Sequence, residues 1–464
     1  MGVEVGQNKC EGIREEGKIW PQILAVCIIS LIFFSNGMSV AWSSPYSLVI
    51  ATDKITYNIT AEEAAYFIVV QPIGMIIAGL FFFKVAELTG RKKSLIVVTL
   101  PYMIFWLMTI LAKTKWEFYI ARIIGGVGDA MTFVSSPSYV GEITVPSIRG
   151  FWGNFPLFIH YGGQLFINVI GSYLNVRQAG YIGIVFPILV CLLIITVLPE
   201  SPYQLIKDNK YEEAKKSIHW LRRKVNVDDD FESMKADVNR QLSERGTWKD
   251  LYIIDSNRRA LRAGLFLRTS QQLCGISIFA TYIQPIFQMA GGIVSPQYSS
   301  MVYGALVCSL NLLCCRSVDK WGRKPAYFYS LLSCGIILIL MAIFFFIQQY
   351  QLANLDSFGW FPLVGMIFYV ITYSFGLGVV PTLMLGELFS ASIKSKGLCV
   401  LIFMWGASVF IITNLFNVLT DHLGLYASFL WFGISCVFST ILTVKWVPET
   451  KGKTLEEIQQ ELKK

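Results

Sequence analysis

The sequence predicts an all-α membrane protein with twelve transmembrane helices arranged as two six-helix halves. Three observations carry that prediction. The 464-residue chain is 54% hydrophobic and only 15% charged, with a mean hydropathy of +0.54, too apolar for an ordinary soluble protein. Its apolar residues fall into twelve runs of roughly 20 residues, the length that crosses a bilayer as a helix. One long polar stretch, residues 199–262 with fourteen Lys or Arg, separates the first six runs from the last six.

The runs lie near 20–43, 64–86, 94–112, 117–140, 151–173 and 180–198, then 263–289, 299–318, 326–348, 359–385, 397–419 and 425–446. This gives an N-terminal tail (1–19), a first bundle (20–198), a helical linker (199–262), a second bundle (263–446) and a C-terminal tail (447–464). The polar start up to Lys18 leads into a long apolar run without a small-residue cleavage site, so it does not read as a cleaved signal peptide. Of 39 Lys and Arg, Lys54, Lys113, Lys115 and Arg177 fall in loops on one side, and Arg122 and Arg268 fall within helices; the rest fall on the other side. By the positive-inside rule both termini and the linker are cytoplasmic, as in a multi-pass protein of the plasma membrane. The net charge of +8 therefore reports orientation, not a nucleic-acid partner. The first external loop carries Asn58-Ile-Thr60, the chain's one N-glycosylation pattern, so Asn58 is a candidate modification site. The ten cysteines lie in predicted helices or, for Cys10, in the N-terminal tail, and no structural disulfide is expected.

Three landmarks recur in the two halves in the same order. Gly90-Arg91-Lys92 returns as Gly322-Arg323-Lys324. Glu142 followed by Arg149 returns as Glu387 followed by Lys394. Pro199-Glu200-Ser201 returns as Pro448-Glu449-Thr450. The chain is thus two similar halves in parallel orientation. Arg91, Glu142, Arg149, Glu200, Arg323, Glu387, Lys394 and Glu449 form a candidate gate at the cytoplasmic mouth, able to pair when the halves close there. Each exposed pair is worth only about 0–1 kcal/mol, but a set of them can bias a two-state equilibrium. The competing reading is that these residues are merely interfacial anchors and positive-inside determinants.

At these residues the chain resembles the sugar-transporter branch of the major facilitator superfamily. Pro448-Glu-Thr-Lys-Gly-Lys-Thr-Leu-Glu-Glu-Ile458 is similar to that branch's C-terminal signature. Tyr139-Val-Gly-Glu142 through Arg149-Gly150 is similar to its helix-four motif, and Gln271-Gln-Leu-Cys-Gly-Ile276 to its helix-seven motif. Glu87-Leu-Thr-Gly-Arg91 and Pro156 resemble facilitated trehalose transporter-like members from insects. The resemblance implies twelve helices, alternating access, and a sugar site at mid-membrane between the halves. It also implies trehalose or a hexose such as glucose as the substrate. Departures cluster around that site: Leu157 matches the family's helix-five glutamine, Ser277 its asparagine, Thr382 its helix-ten tryptophan, and Met404 an asparagine beside Trp405.

Polar side chains inside a membrane face a cavity or a partner. His160, Gln164 and Asn168 share one face of helix five. Gln271, Gly275 and Tyr282 share a face of helix seven with Gln272 flanking it, and Ser374, Gly378 and Thr382 do so in helix ten. Trp405 and Ser408 make a patch in helix eleven. Amides and hydroxyls can bond sugar hydroxyls, and an aromatic ring covers the C–H face of a pyranose. The candidate substrate-binding residues are Gln164, Gln271, Gln272, Ser277, Tyr282, Ser374, Thr382 and Trp405; Asn168 reads as an interhelical contact. Asp129, inside helix four, needs a partner: Arg122, seven residues earlier on almost the same face, or His160 in the next helix. The second would make Asp129 and His160 a candidate proton site.

The sequence shows no nucleophile–base pair and no metal cluster, its three histidines being His160, His219 and His422, so an enzyme, a metal and a cofactor are not expected. Gly452-Lys-Thr454 looks like the end of a phosphate loop, but Val447 stands where its first glycine is needed. No acidic or basic residue lies in helix one between Lys18 and Asp53, which favours a passive uniporter, acting as a monomer, over a proton-coupled symporter. The third reading, a non-transporting sugar sensor, fits poorly with a tail of sixteen residues after Pro448.

Overall fold

The computed structural model describes residues 17–224, 226–243, 246–389, 393–451, 453 and 455–461, and these contain helices and no strands. The first six membrane rods are α1 (Trp20–Ala41) with α2 (Ser43–Thr52), α3 (Ala61–Val69) with α4 (Gln71–Thr89), α5 (Arg91–Leu111), α6 (Lys115–Ile143), α7 (Pro146–Gly171) and α8 (Val176–Thr196). The linker holds α9 (Pro202–Lys207), α10 (Tyr211–Arg222), α11 (Asp228–Ser243) and α12 (Asp250–Ile253). The last six rods are α13 (Asp255–Leu273) with α14 (Ile276–Ala290), α15 (Pro296–Trp321), α16 (Arg323–Gln349), α17 (Phe361–Phe375) with α18 (Val380–Glu387), α19 (Lys394–His422) and α20 (Leu425–Trp446); α21 (Leu455–Glu461) follows.

The rods match the predicted runs, with two differences in length. The first continues to Thr52, well past the predicted end at residue 43, and the seventh starts at Asp255, ahead of the apolar run. Among the described residues, nine stretches are long and apolar enough to cross a membrane on length and composition alone. Lys115–Ile143, Pro146–Gly171 and Pro296–Trp321 are not among them, and the first two carry Arg122, Asp129, His160 and Asn168, all buried inside the bundle.

Four rods are broken in the middle, each at an identifiable residue. Pro45 and Pro72 have no N–H for the carbonyl four residues earlier, and the breaks fall at Trp42 and Val70. Gly275 takes φ +85°, a left-handed conformation that ends α13 and starts α14. Gly376 to Val379, with Pro381 following, separates α17 from α18. Within the first half α1 packs on α7, and α4 on α6; within the second α16 packs on α20, and α15 on α17. Between halves α4 meets α19, and α7 meets α15. The apolar cores follow this division. One cluster from Leu251 to Ile458 fills the second half and takes in Ile68, two fill the first half, and Leu205, Ile218, Phe231 and Val238 hold the linker helices together.

Candidate functional site

The repeated motifs fold into two matching staples at the linker end of the bundle. Gly90 and Gly322 sit at φ +89° and +94°, which lets the chain turn sharply into α5 and α16. The first turn of each helix then presents backbone N–H groups with no helical partner. In the first half Glu200 Oε1 accepts from Lys92 N at 2.8 Å, and the Lys92 ammonium donates to Ile195 O at the end of α8 (3.1 Å). In the second half Glu449 accepts from Arg323 N and Lys324 N, both at 3.0 Å, while Lys324 Nζ donates to Val444 O at the end of α20 (2.6 Å). A carboxylate at a helix N-terminus also gains from the helix dipole. Burial alone would raise the Glu449 carboxyl, but N–H groups of Lys451, Arg323 and Lys324 hold it below the ordinary glutamate range. Arg91 Nε donates to Glu142 Oε1 at 2.9 Å, and Ser201 Oγ donates to the other oxygen of that carboxylate. Each of these contacts stays within one half, so in this conformation the motifs tie the third rod to the fourth or sixth rod of its own half. The side chains of Arg149, Glu387 and Lys394 lie outside the described residues.

Between the halves is a cavity of about 1080 Å³, counting its open mouth. Its wall includes Gln164, Gln271, Gln272, Ser277, Thr382 and Trp405 of the candidate substrate residues, together with Asp129 and His160. Three of the four broken rods supply wall residues at their breaks, and the exposed backbone there is bonded by neighbours. Gln271 Nε2 donates to Leu377 O (2.8 Å) and to Tyr373 Oη (3.3 Å), and Tyr369 OH donates to Cys274 O (3.0 Å).

Two candidates leave the wall. Tyr282 donates its hydroxyl to Asn417 Oδ1 (2.8 Å) and Ala65 O (3.3 Å), joining the halves at the end away from the linker. Gln284 N and Ser44 Oγ (3.4 Å) bridge them nearby. Ser374 is buried against its own half, at 1% exposure. Both corrections have one cause: the breaks at Gly275 and Gly376 reset the helical register, so spacing counted along an unbroken helix no longer holds.

Asp129 meets neither of its expected partners. Its Oδ1 accepts from Asn36 Nδ2 (2.6 Å) and Tyr102 OH (3.2 Å), and its Oδ2 accepts from Gln71 Nε2 (2.6 Å). Seven residues put Arg122 about 10 Å away along the helix, and Gln71 fills that gap by accepting from Arg122 Nη2 through its own Oε1. Arg122 also donates to Phe67 O (2.9 Å) and Ser39 O (2.5 Å), over the rings of Trp42 and Phe105. His160 Nε2 is engaged by Gln164 Nε2 at 2.9 Å. The sequence reading missed Gln71, Asn36, Tyr373 and the cavity position of Arg268. Gln71 opens an apolar run, and Arg268 stands out only as a charge inside a predicted helix.

Two halves of six rods around a cavity whose largely apolar wall carries amides, hydroxyls and charged groups give the fold of a secondary transporter of the major facilitator class. The proton:xylose symporter XylE bound to 6-bromo-6-deoxy-D-glucose has the same fold, with a TM-score of 0.75 at 23% identity over 96% of this chain and 99% of that one. Residues 25–462 match the Sugar (and other) transporter family, and the chain belongs to it. It is therefore a multi-pass membrane transporter and not an enzyme. It is similar to the facilitated trehalose transporter Tret1 of Apis mellifera ligustica, 30% identical over 95% of this chain and 88% of that protein. It is likewise similar to Tret1 of Bombyx mori, 29% identical over 96% and 87%.

Proposed function

We propose that this protein carries a sugar, trehalose or a hexose such as glucose, passively down its gradient by rocking its two halves about the cavity. The observation that carries this reading is the cavity wall, which takes Gln164 from the first half and Gln271 and Gln272 from the second, with Trp405 able to cover a sugar ring. Amides donate and accept, as hydroxyls require. The relatives named facilitated trehalose transporter support both the substrate class and the passive mode. The basic residues of the linker and tails support an orientation with both termini cytoplasmic, as in the plasma membrane, and the cavity is built from the two halves of one chain, which suits a monomer. The 20–198 and 263–446 bundles act as the moving bodies, each held rigid by its staple, with the remaining gate residues meeting at the mouth.

In proteoliposomes, labelled trehalose or glucose should equilibrate without a pH gradient, sodium or ATP. Accumulation above the outside level that collapses with a protonophore would overturn uniport. One observation favours the symport reading: Asp129 is a carboxylate in the cavity wall. Against it, three donors already bind that carboxylate, an arrangement that suits a permanent charge. Sugar-driven alkalinisation that disappears in Asp129→Asn, with sugar exchange preserved, would make Asp129 the coupling site.

A further inference from the structure

The cavity holds a second buried cation that sugar hydroxyls do not require. Arg268 lies one turn before Gln271 on α13, is 9% exposed, and lines the same cavity. Its guanidinium sits 5.5 Å from the centroid of the Trp405 ring. Among the described residues its hydrogen bond is the one from Nη1 to Gln271 Oε1, 3.2 Å, although the group has five N–H donors. The ionisable groups around it are the phenols of Tyr161, Tyr327 and Tyr373. Arg122 is placed differently. It gives its donors to Phe67 O, Ser39 O and Gln71, and Gln71 links it to Asp129. Those two charges offset each other within the first half. Asp129 is the one carboxylate in the described wall, so Arg268 leaves the cavity with a positive charge that has no fixed counter-charge. Burying an unpaired ion costs several kcal/mol, and an ionisable group inside a membrane protein marks a substrate path.

We propose that Arg268 is a substrate-binding residue for a single negative charge, so that the site takes a sugar acid, a hexose ring bearing a carboxylate, in preference to the neutral hexose. The proposal rests on the sugar-transport reading and narrows its substrate. The planar guanidinium matches a carboxylate with two parallel hydrogen bonds. The Gln164 and Gln272 amides and the Trp405 ring remain for the hydroxyls and the ring face, while Gln271 holds the guanidinium in place. A single cation balances a carboxylate and leaves a doubly charged phosphate under-compensated, which sets hexuronates ahead of sugar phosphates.

The test is uptake into proteoliposomes containing the full chain, with labelled D-glucuronate, D-glucose, trehalose and D-glucose 6-phosphate measured separately. A charge-assisted pair predicts a kcat/KM for glucuronate roughly tenfold to a hundredfold above that for glucose. Glucuronate uptake should rise with an inside-positive potential and glucose uptake should not. Arg268→Gln should collapse the ratio towards one, and Arg268→Lys should keep part of it. Uptake of glucose or trehalose with no preference for glucuronate overturns the assignment of Arg268 and leaves sugar transport standing. A preference for glucose 6-phosphate overturns the carboxylate. No uptake of any of the four overturns both readings. Should Arg268→Gln fail to fold, the wild-type ratio and its response to potential decide alone.

Discussion

Gln71→Met tests whether an amide truly relays the buried charges. Gln71 is 4% exposed; it donates to Asp129 at 2.6 Å and accepts from Arg122. Methionine keeps the length of the side chain and removes both bonds. Hydrogen bonds to charged groups are worth about 1.5–3 kcal/mol each, so two would contribute about 3–6 kcal/mol. Asp129 keeps Asn36 and Tyr102, and Arg122 keeps two carbonyls, which sets the expected loss at the lower end, about 3 kcal/mol. Neutral bonds between membrane helices average about 0.6 kcal/mol, so two ordinary bonds would give only about 1 kcal/mol. The two cases can be told apart. Thermal unfolding in detergent can be followed by the fluorescence of Trp42 and Trp106, both fully buried in the same half. If that half melts as one unit, the relay predicts a drop of roughly 6–12 °C. Adding Asp129→Asn should then cost less than its effect alone, because the two residues share one network. A drop under about 3 °C, with additive effects, would refute the relay.

Three further outcomes are expected. Gln271→Ala should lower both sugar affinity and melting temperature, because Gln271 ties Leu377 O across the α17–α18 break. Gln272→Ala should raise the KM alone, and equal effects from both in uptake and melting would contradict this division. Gly322→Ala should destabilise by about 1–3 kcal/mol and more than Gly90→Ala, since a Cβ at Gly322 would lie 2.8 Å from Glu449 Oε2 and one at Gly90 would lie 3.2 Å from Glu200 Oε2; melting curves in the reverse order would refute the staple. Asn58 is exposed on the loop before α3, so glycosidase should shift the mobility of protein from a eukaryotic host, and Asn58→Gln should abolish that shift.

By itself the sequence determined the number of membrane rods, the repeat and the family. These are properties of local composition and of spacing along the chain: a run of about 20 apolar residues is a span whatever it packs against, and Gly-Arg-Lys recurs in the same place in each half. The amide-rich wall was also legible in part, because Gln164, Gln271 and Gln272 are polar where lipid-facing residues cannot be. Only the tertiary structure decided which groups meet. The Gly275 break turned Tyr282 away from Gln271 to the outer contact with Ala65 and Asn417. Gln71 reached Asp129 across 58 residues of chain and Asn36 reached it across 93. Arg268 became a cavity residue because α19 laid Trp405 beneath it. Helical periodicity holds only within one unbroken helix, whereas contacts between helices depend on packing that no local pattern encodes. A buried charge therefore shows in the sequence as a need for a partner, and the fold alone selects that partner.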